Sequence, residues 1–103
     1  MGRFFKVNDF SLVPSGSPQA ETDLSSVVTL TVPEDSNGVL LQAFTDTIYY
    51  TIDGTDATAS NGFALTTDEG VVRFDLYPGA EVKLFSSSGE ARWQYFRLSG
   101  GTI

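Results

Sequence analysis

The chain contains no cysteine and no histidine. These absences exclude disulfide bonds, thiolate chemistry and zinc fingers, together with the side chain that most often acts as a general base. No apolar run is long enough for a signal peptide or a membrane span. We therefore expect synthesis in the cytoplasm, no membrane partner and no bound cofactor.

Basic residues are scarce and unevenly placed. The net charge is -7, and no lysine or arginine lies between Lys6 and Arg73. Nucleic-acid binding is disfavoured, because that affinity comes largely from cations that neutralise phosphates. The simplest interpretation is a solvated acidic surface that aids solubility. The alternative is that the acidic face is the outside of an assembly, whose partner contacts the C-terminal strands that carry Arg92 and Arg97.

Apolar runs and turn residues predict strands along most of the chain, and no helix is required. At 103 residues the chain is expected to form one domain. The expected strands are residues 27–32, 39–44, 48–52, 63–66, 71–76, 81–85 and 91–98. Short strands with regular turn signals favour an all-β fold, a small antiparallel β-sandwich of about seven to eight strands. The jelly roll and the immunoglobulin-like sandwich both fit this pattern.

The two ends of the chain are expected to lie outside the sandwich. Residues 1–24 are predicted to be an extended N-terminal arm and linker, residues 25–98 the sandwich, and residues 99–103 a flexible C-terminal tail. Within the arm, residues 15–20 are rich in serine, glycine and proline and are expected to form a loop. The first thirteen residues offer an arm able to add a strand to the sheet edge of a neighbouring molecule.

Alternation of apolar and polar residues identifies the expected core. Val72, Phe74 and Leu76 alternate with charged residues, so one face of that strand packs and the other is wet. The same pattern points Val82 and Leu84 inward, and in the first sandwich strand it points Val28, Leu30 and Val32 inward.

The last strand carries aromatic residues on both faces. Trp93 and Tyr95 share one face, with Arg97 in line with them, whereas Arg92, Gln94 and Phe96 share the other. The simplest interpretation is core plus sheet surface. The alternatives are a protein contact, since aromatic residues and arginine are enriched at the energetic centres of interfaces, and a platform for a sugar ring. The residues predicted to contact a partner are Phe4, Phe5, Phe10, Arg92, Trp93, Tyr95 and Arg97.

Residues 48–65, IYYTIDGTDATASNGFAL, form a strand, a turn at Asp53 and Gly54, and a second turn at Asn61 and Gly62. This block resembles one found in small structural proteins of tailed bacteriophages, Y-T-x-D-G-T-x-P-T-A-S-x-G-F-x-L, with Ala57 where proline is common. The resemblance extends over residues 32–97. A YTxDGT sequence also resembles the β-sandwich modules appended to chitobiase-like enzymes.

The phage resemblance implies a non-enzymatic virion protein, and within that class we expect head decoration, as a cement protein that binds the major capsid protein. A neck or tail position is the alternative. Self-association is expected, for example as a trimer. The chitobiase-like resemblance implies instead a carbohydrate-binding or adhesin module, with Tyr49, Tyr50 and Tyr77 as further exposed aromatic candidates.

Catalytic chemistry has few candidate residues. Without histidine or cysteine an enzyme would need paired carboxylates or a metal. The close acidic pairs all lie in predicted turns, where solvation and capping explain them, so we predict no catalytic residue. Asp53 and Asp56 supply oxygen ligands of the kind that calcium accepts, but the spacing of an EF-hand is absent.

Overall fold

Two four-stranded antiparallel sheets make up the protein. A computed structural model describes the backbone of residues 10–100 and the side chains of residues 12–98. The strands are β1 (Phe10–Glu21), β2 (Val28–Thr31), β3 (Gly38–Thr45), β4 (Ile48–Thr51), β5 (Phe63–Leu65), β6 (Val71–Asp75), β7 (Glu81–Phe85) and β8 (Glu90–Gly100), with one 3₁₀ turn at Thr67–Glu69. The predicted β-sandwich is confirmed, and β2 to β8 lie within two residues of their predicted bounds. β1 lies in the segment predicted to be an arm and linker, so the predicted start of the sandwich at residue 25 is wrong.

The order of the strands is that of a jelly roll. Sheet A has the order β1-β8-β3-β6, and sheet B has the order β2-β7-β4-β5. The first strand therefore pairs with the last, the second with the seventh, the third with the sixth and the fourth with the fifth. This is one long antiparallel ribbon wrapped so that successive pairs fall in alternate sheets, which distinguishes a jelly roll from the immunoglobulin-like alternative.

The core lies between the two sheets. Its fully buried members are aliphatic and come from both sheets and the loop before β2: Leu24, Leu30, Val39, Leu41, Ala43, Ile48, Leu65, Val82, Leu84 and Ala91. Half-buried residues that include Val28, Val72, Phe74 and Leu76 pack against this cluster, so the predicted inward faces are confirmed. At the rim, the Tyr50 ring meets the Phe74 ring edge-on with the ring centroids 5.1 Å apart, which joins sheet B to β6.

The prediction that residues 15–20 form a loop is wrong, because β1 runs through them and pairs with β8. A strand at the edge of a sheet tolerates proline, and a bulge accommodates residues that cannot pair. Here the register shifts between Ser15 and Gln19, and Gly16 has a φ of 80°. The tail prediction also needs correction, since β8 continues to Gly100, which lies opposite Phe10.

Candidate functional site

The side of sheet A that faces away from sheet B is the most distinctive surface of the described chain. Alternation along the strands directs fifteen of the described side chains to this side, and we call the surface they form the outer face of sheet A. Its members are Leu12, Pro14, Pro18 and Ala20 from β1, Leu40, Gln42 and Phe44 from β3, Val71, Arg73 and Asp75 from β6, and Glu90, Arg92, Gln94, Phe96 and Leu98 from β8. Apolar side chains predominate on this face, which is turned away from sheet B.

Phe96 lies on the outer face yet is only 1% exposed. Its partner in the adjacent strand β3 is Gly38, where an added Cβ would come within 2.7 Å of the Phe96 ring. The Arg73 guanidinium stands 5.3 Å from the ring centroid on the β6 side. The missing side chain of Gly38 therefore gives the aromatic ring its site, and Arg73 covers part of it.

The loop that connects β2 to β3 is hydrogen-bonded to β1 and to β8 at Phe96. Ser36 is buried, and its hydroxyl donates to Ser15 Oγ at 2.9 Å, while Ser15 Oγ donates to Asp35 Oδ1 at 3.3 Å. The Phe96 carbonyl accepts a hydrogen bond from the Asn37 amide at 2.7 Å. These contacts tie β1 and β8 to the β2–β3 loop next to Phe96.

Gln94 fixes the bulge of β1. Its side-chain amide donates to the carbonyl oxygens of Ser15 at 3.2 Å and Gly16 at 3.0 Å. These are carbonyl groups at the point where the register with β8 shifts. After the bulge, Pro18 lines a shallow groove of 190 Å³ that runs across the strands of the outer face, with Leu40 of β3 and Val71 of β6 further along it.

Arg92 borders this groove and stacks on an aromatic ring. Its guanidinium carbon lies 3.5 Å from the centroid of the Phe44 ring, which is a close cation–π contact. Among the residues that the structure describes, no carboxylate lies within 4 Å of Arg92. Arg92 lies beside exposed Phe44 (42%) and Val71 (58%). Apolar surface that becomes buried on binding, next to arginine and aromatic side chains, is typical of the hot spots of protein interfaces.

Trp93 and Tyr95 belong to the opposite side of β8. They lie across from Leu41 and Val39 and pack against the core. Burial raises the pKa of the Tyr95 hydroxyl, although hydrogen bonds with the Trp93 side chain and the Thr31 backbone act in the opposite direction. Because Thr31 is in β2, these two aromatic residues join the sheets, and their rings are not a surface platform.

The other predicted contact residues are placed as follows. Arg97 is exposed and lies opposite Val13, in the part of β8 that pairs with β1 beyond the end of β3. Phe10 begins β1, and its side chain lies outside the described residues, as do Phe4 and Phe5. Among the predicted contact residues whose side chains the structure describes, Arg92 alone lies on the outer face of sheet A.

Sequence reasoning missed Leu40, Phe44 and Val71. In β3, GVLLQAFT, apolar residues occupy both faces, so alternation could not separate the core side from the exposed side. The pairing of β3 with β8 and β6 decides which residues face out. The alternation of the last strand was the usable signal, because it put Arg92 and Gln94 on the face opposite Trp93.

The block that resembles phage proteins forms a tightly hydrogen-bonded loop. Asp53 Oδ1 accepts hydrogen bonds from the Thr55 amide at 3.0 Å and the Thr55 hydroxyl at 2.6 Å. These bonds lower the pKa of the Asp53 carboxyl. Thr51 Oγ1 donates to the Thr55 carbonyl at 2.5 Å. The side-chain amide of Asn61 donates to Thr55 Oγ1 and to the Asp56 carbonyl. The shared residues of the block thus have a structural role.

The calcium candidates are used within this loop. Besides the bonds of Asp53, the Asp56 carboxylate accepts from Lys83 Nζ at 3.3 Å, which ties the loop to β7. In the described part of the chain, no group of three or more acidic side chains is close enough to hold a metal ion.

A second groove, of 260 Å³, lies at the block. Its lining includes the exposed side chains of Ile52 (52%) and Phe63 (64%), with Asp53 and Asn61 at its margin. The Phe63 ring is supported by Tyr50, with the ring centroids 5.7 Å apart. An exposed aromatic ring beside a carboxylate and an amide can stack on a sugar and accept hydrogen bonds from its hydroxyls.

No protein-family model, curated protein or solved structure matches this chain. The resemblance to phage structural proteins therefore stays a prediction. Between residues 10 and 100, no helix has the length and apolar character that a membrane crossing needs.

Proposed function

We propose that the chain is a non-enzymatic structural protein of a bacteriophage particle. It acts through protein–protein contacts, and the outer face of sheet A is one of its contact surfaces. The observation that carries this proposal is the combination, on that single face, of exposed Val71 and Phe44, the Arg92 guanidinium stacked on Phe44, and buried Phe96 packed against Gly38.

The fold and the block of residues 48–65 support a virion setting. Jelly rolls occur in viral capsid domains and also in lectins, so the fold by itself is an analogy. The hydrogen-bonded loop at Asp53 and Thr55 gives the shared residues of the phage block a reason to recur in a protein of this shape. Within the virion class, we favour a decoration protein on the major capsid protein over a neck or tail component.

Particles assembled without this protein provide the test. Purified protein is added to such particles, unbound protein is removed by sedimentation, and the particles are imaged by cryo-electron microscopy. Density repeated over the capsid surface supports decoration, and density confined to one vertex supports a neck or tail position. Absence of both binding and density contradicts the virion proposal.

A carbohydrate-binding module is the second candidate, and the groove at Phe63 is the observation that favours it. Titration with a panel of oligosaccharides, followed by NMR chemical shifts, tests it. Phe63→Ala should abolish any shift, whereas Tyr77→Ala should leave it intact, since the Tyr77 side chain is 87% exposed but does not line this groove. A panel without any shift removes this candidate.

A further inference from the structure

We propose that the outer face of sheet A binds the same face of a second copy of this chain and forms a twofold dimer. The proposal rests on the function proposed above, because it names the partner of that contact surface. It does not depend on which particle contains the protein.

Charge is the first argument for a second copy. The chain has thirteen acidic and six basic residues, so most of its surface repels another copy. On the outer face of sheet A, however, Arg73 and Arg92 are balanced by Asp75 and by Glu90, which alternation places on the same side at the start of β8. Two copies can therefore approach through this face without net repulsion, whereas a strongly acidic foreign partner would require a positive face.

The charges on this face also suit self-pairing. Arg73 is already held by Asp75, with Nε and Oδ1 2.7 Å apart. Arg92 has its guanidinium fixed on Phe44 but has no described carboxylate within 4 Å. A facing copy can bring a carboxylate such as Glu90 to Arg92, and a twofold arrangement forms each such pair twice.

The size of the face sets the expected strength. Four strands about 4.8 Å apart and roughly seven residues long cover on the order of 450 Å² of flat sheet. Two such faces with their side-chain relief bury on the order of 1,000 Å² in total, which is the lower end of specific interfaces. We therefore expect a dimer with a dissociation constant in the micromolar range. Sheet-on-sheet packing with interdigitated side chains is the geometry available to it.

Sedimentation velocity on the full chain, from about 1 to about 300 µM, tests the proposal. We expect a monomer–dimer equilibrium in the wild type. Val71→Asp places a charge in the apolar groove of each copy and should weaken dimerisation on the order of 100-fold. Ile52→Asp is the matched control, because Ile52 is similarly exposed (52% against 58% for Val71) but lies away from the face. Its dimerisation should equal that of the wild type.

Arg92→Glu is a second variant, which tests the same face from β8 and not from the edge strand β6. Far-ultraviolet circular dichroism checks that each variant is folded. A monomer at every concentration overturns the proposal. A trimer or an open-ended assembly also overturns it, because one face against the same face closes at two copies. A dimer that neither Val71→Asp nor Arg92→Glu weakens overturns the choice of surface.

The same variants separate this proposal from the proposed function. A wild type that stays monomeric but binds particles contradicts only the dimer. A Val71→Asp variant that is monomeric and still binds particles supports the dimer surface and places the particle contact elsewhere. A wild type that dimerises but never binds particles contradicts only the virion role.

Discussion

Gly38→Ala should destabilise the protein strongly, although alanine is usually the better residue in a strand. Gly38 does not have a positive φ, and a glycine-to-alanine change at such a position normally stabilises by about 0.4 to 1 kcal/mol through the unfolded chain. Here the added Cβ would overlap the backbone carbonyl oxygen of Phe74 and come within 2.7 Å of the Phe96 ring. The sign of the effect therefore reports on the packing of the outer face.

The magnitude follows from what must move. Displacing an aromatic ring that is 1% exposed amounts to overpacking, which costs about 1 to 3 kcal/mol. The Phe74 carbonyl belongs to the backbone of β6. Relieving its overlap with the added Cβ therefore also separates the end of the β3–β6 pair, which costs about 1 kcal/mol for a lost hydrogen bond. We expect a loss of about 3 kcal/mol in the free energy of unfolding, or a Tm lower by roughly 12 to 24 °C for a domain of this size.

Urea unfolding followed by fluorescence measures this loss, because Trp93 is the single tryptophan and packs against the core. Gly54→Ala is the control: its Cβ would meet nothing within 4 Å, and its φ of 89° predicts a cost of about 1 to 2 kcal/mol from backbone strain alone. If Gly38→Ala is as stable as the wild type or more stable, the packing of Phe96 against Gly38 is refuted.

Three further predictions concern the loops and the core. Asn61→Ala should cost about 1 to 2 kcal/mol in thermal or urea unfolding, because its amide bridges the loop after β4; an unchanged midpoint would show that the loop is held by other contacts. The pKa values of Asp23, Asp46 and Asp53 lie below the ordinary 3.8 because each carboxylate accepts hydrogen bonds from a neighbouring side chain and amide. The stability that these three carboxylates contribute should be complete above about pH 4. It should decline as the pH falls through their pKa values in the folded protein, because the unfolded chain then binds more protons than the folded chain. Urea midpoints between pH 2.5 and 7 should therefore decline less steeply on acidification when all three are asparagine, and parallel curves would contradict this. Trp93 fluorescence should not change on addition of oligosaccharides, because its ring packs inward; quenching by a sugar would contradict that placement.

The sequence by itself determined the class of fold and most of the strands. Short apolar runs separated by glycine, proline and aspartate turns indicate a sandwich, and alternation in VVRFD and EVKLF identifies which residues pack inward. It also separated the two faces of the last strand, with Arg92 opposite Trp93. These features are local, because the period of a strand and the chemistry of a turn are set by neighbouring residues.

Only the tertiary structure determined which residues form the outer face of sheet A, the surface for which we propose a function. Residues 15–20 have the composition of a loop, yet they lie in an edge strand because Gln94, nearly eighty positions later, binds the carbonyl groups of the bulge. Likewise, Phe96 is buried on an outer face only because Gly38 lies beside it and Arg73 stands over its ring. Strand order and register join residues far apart in the chain. Where a strand is apolar on both faces, no local pattern encodes which face will turn away from the core.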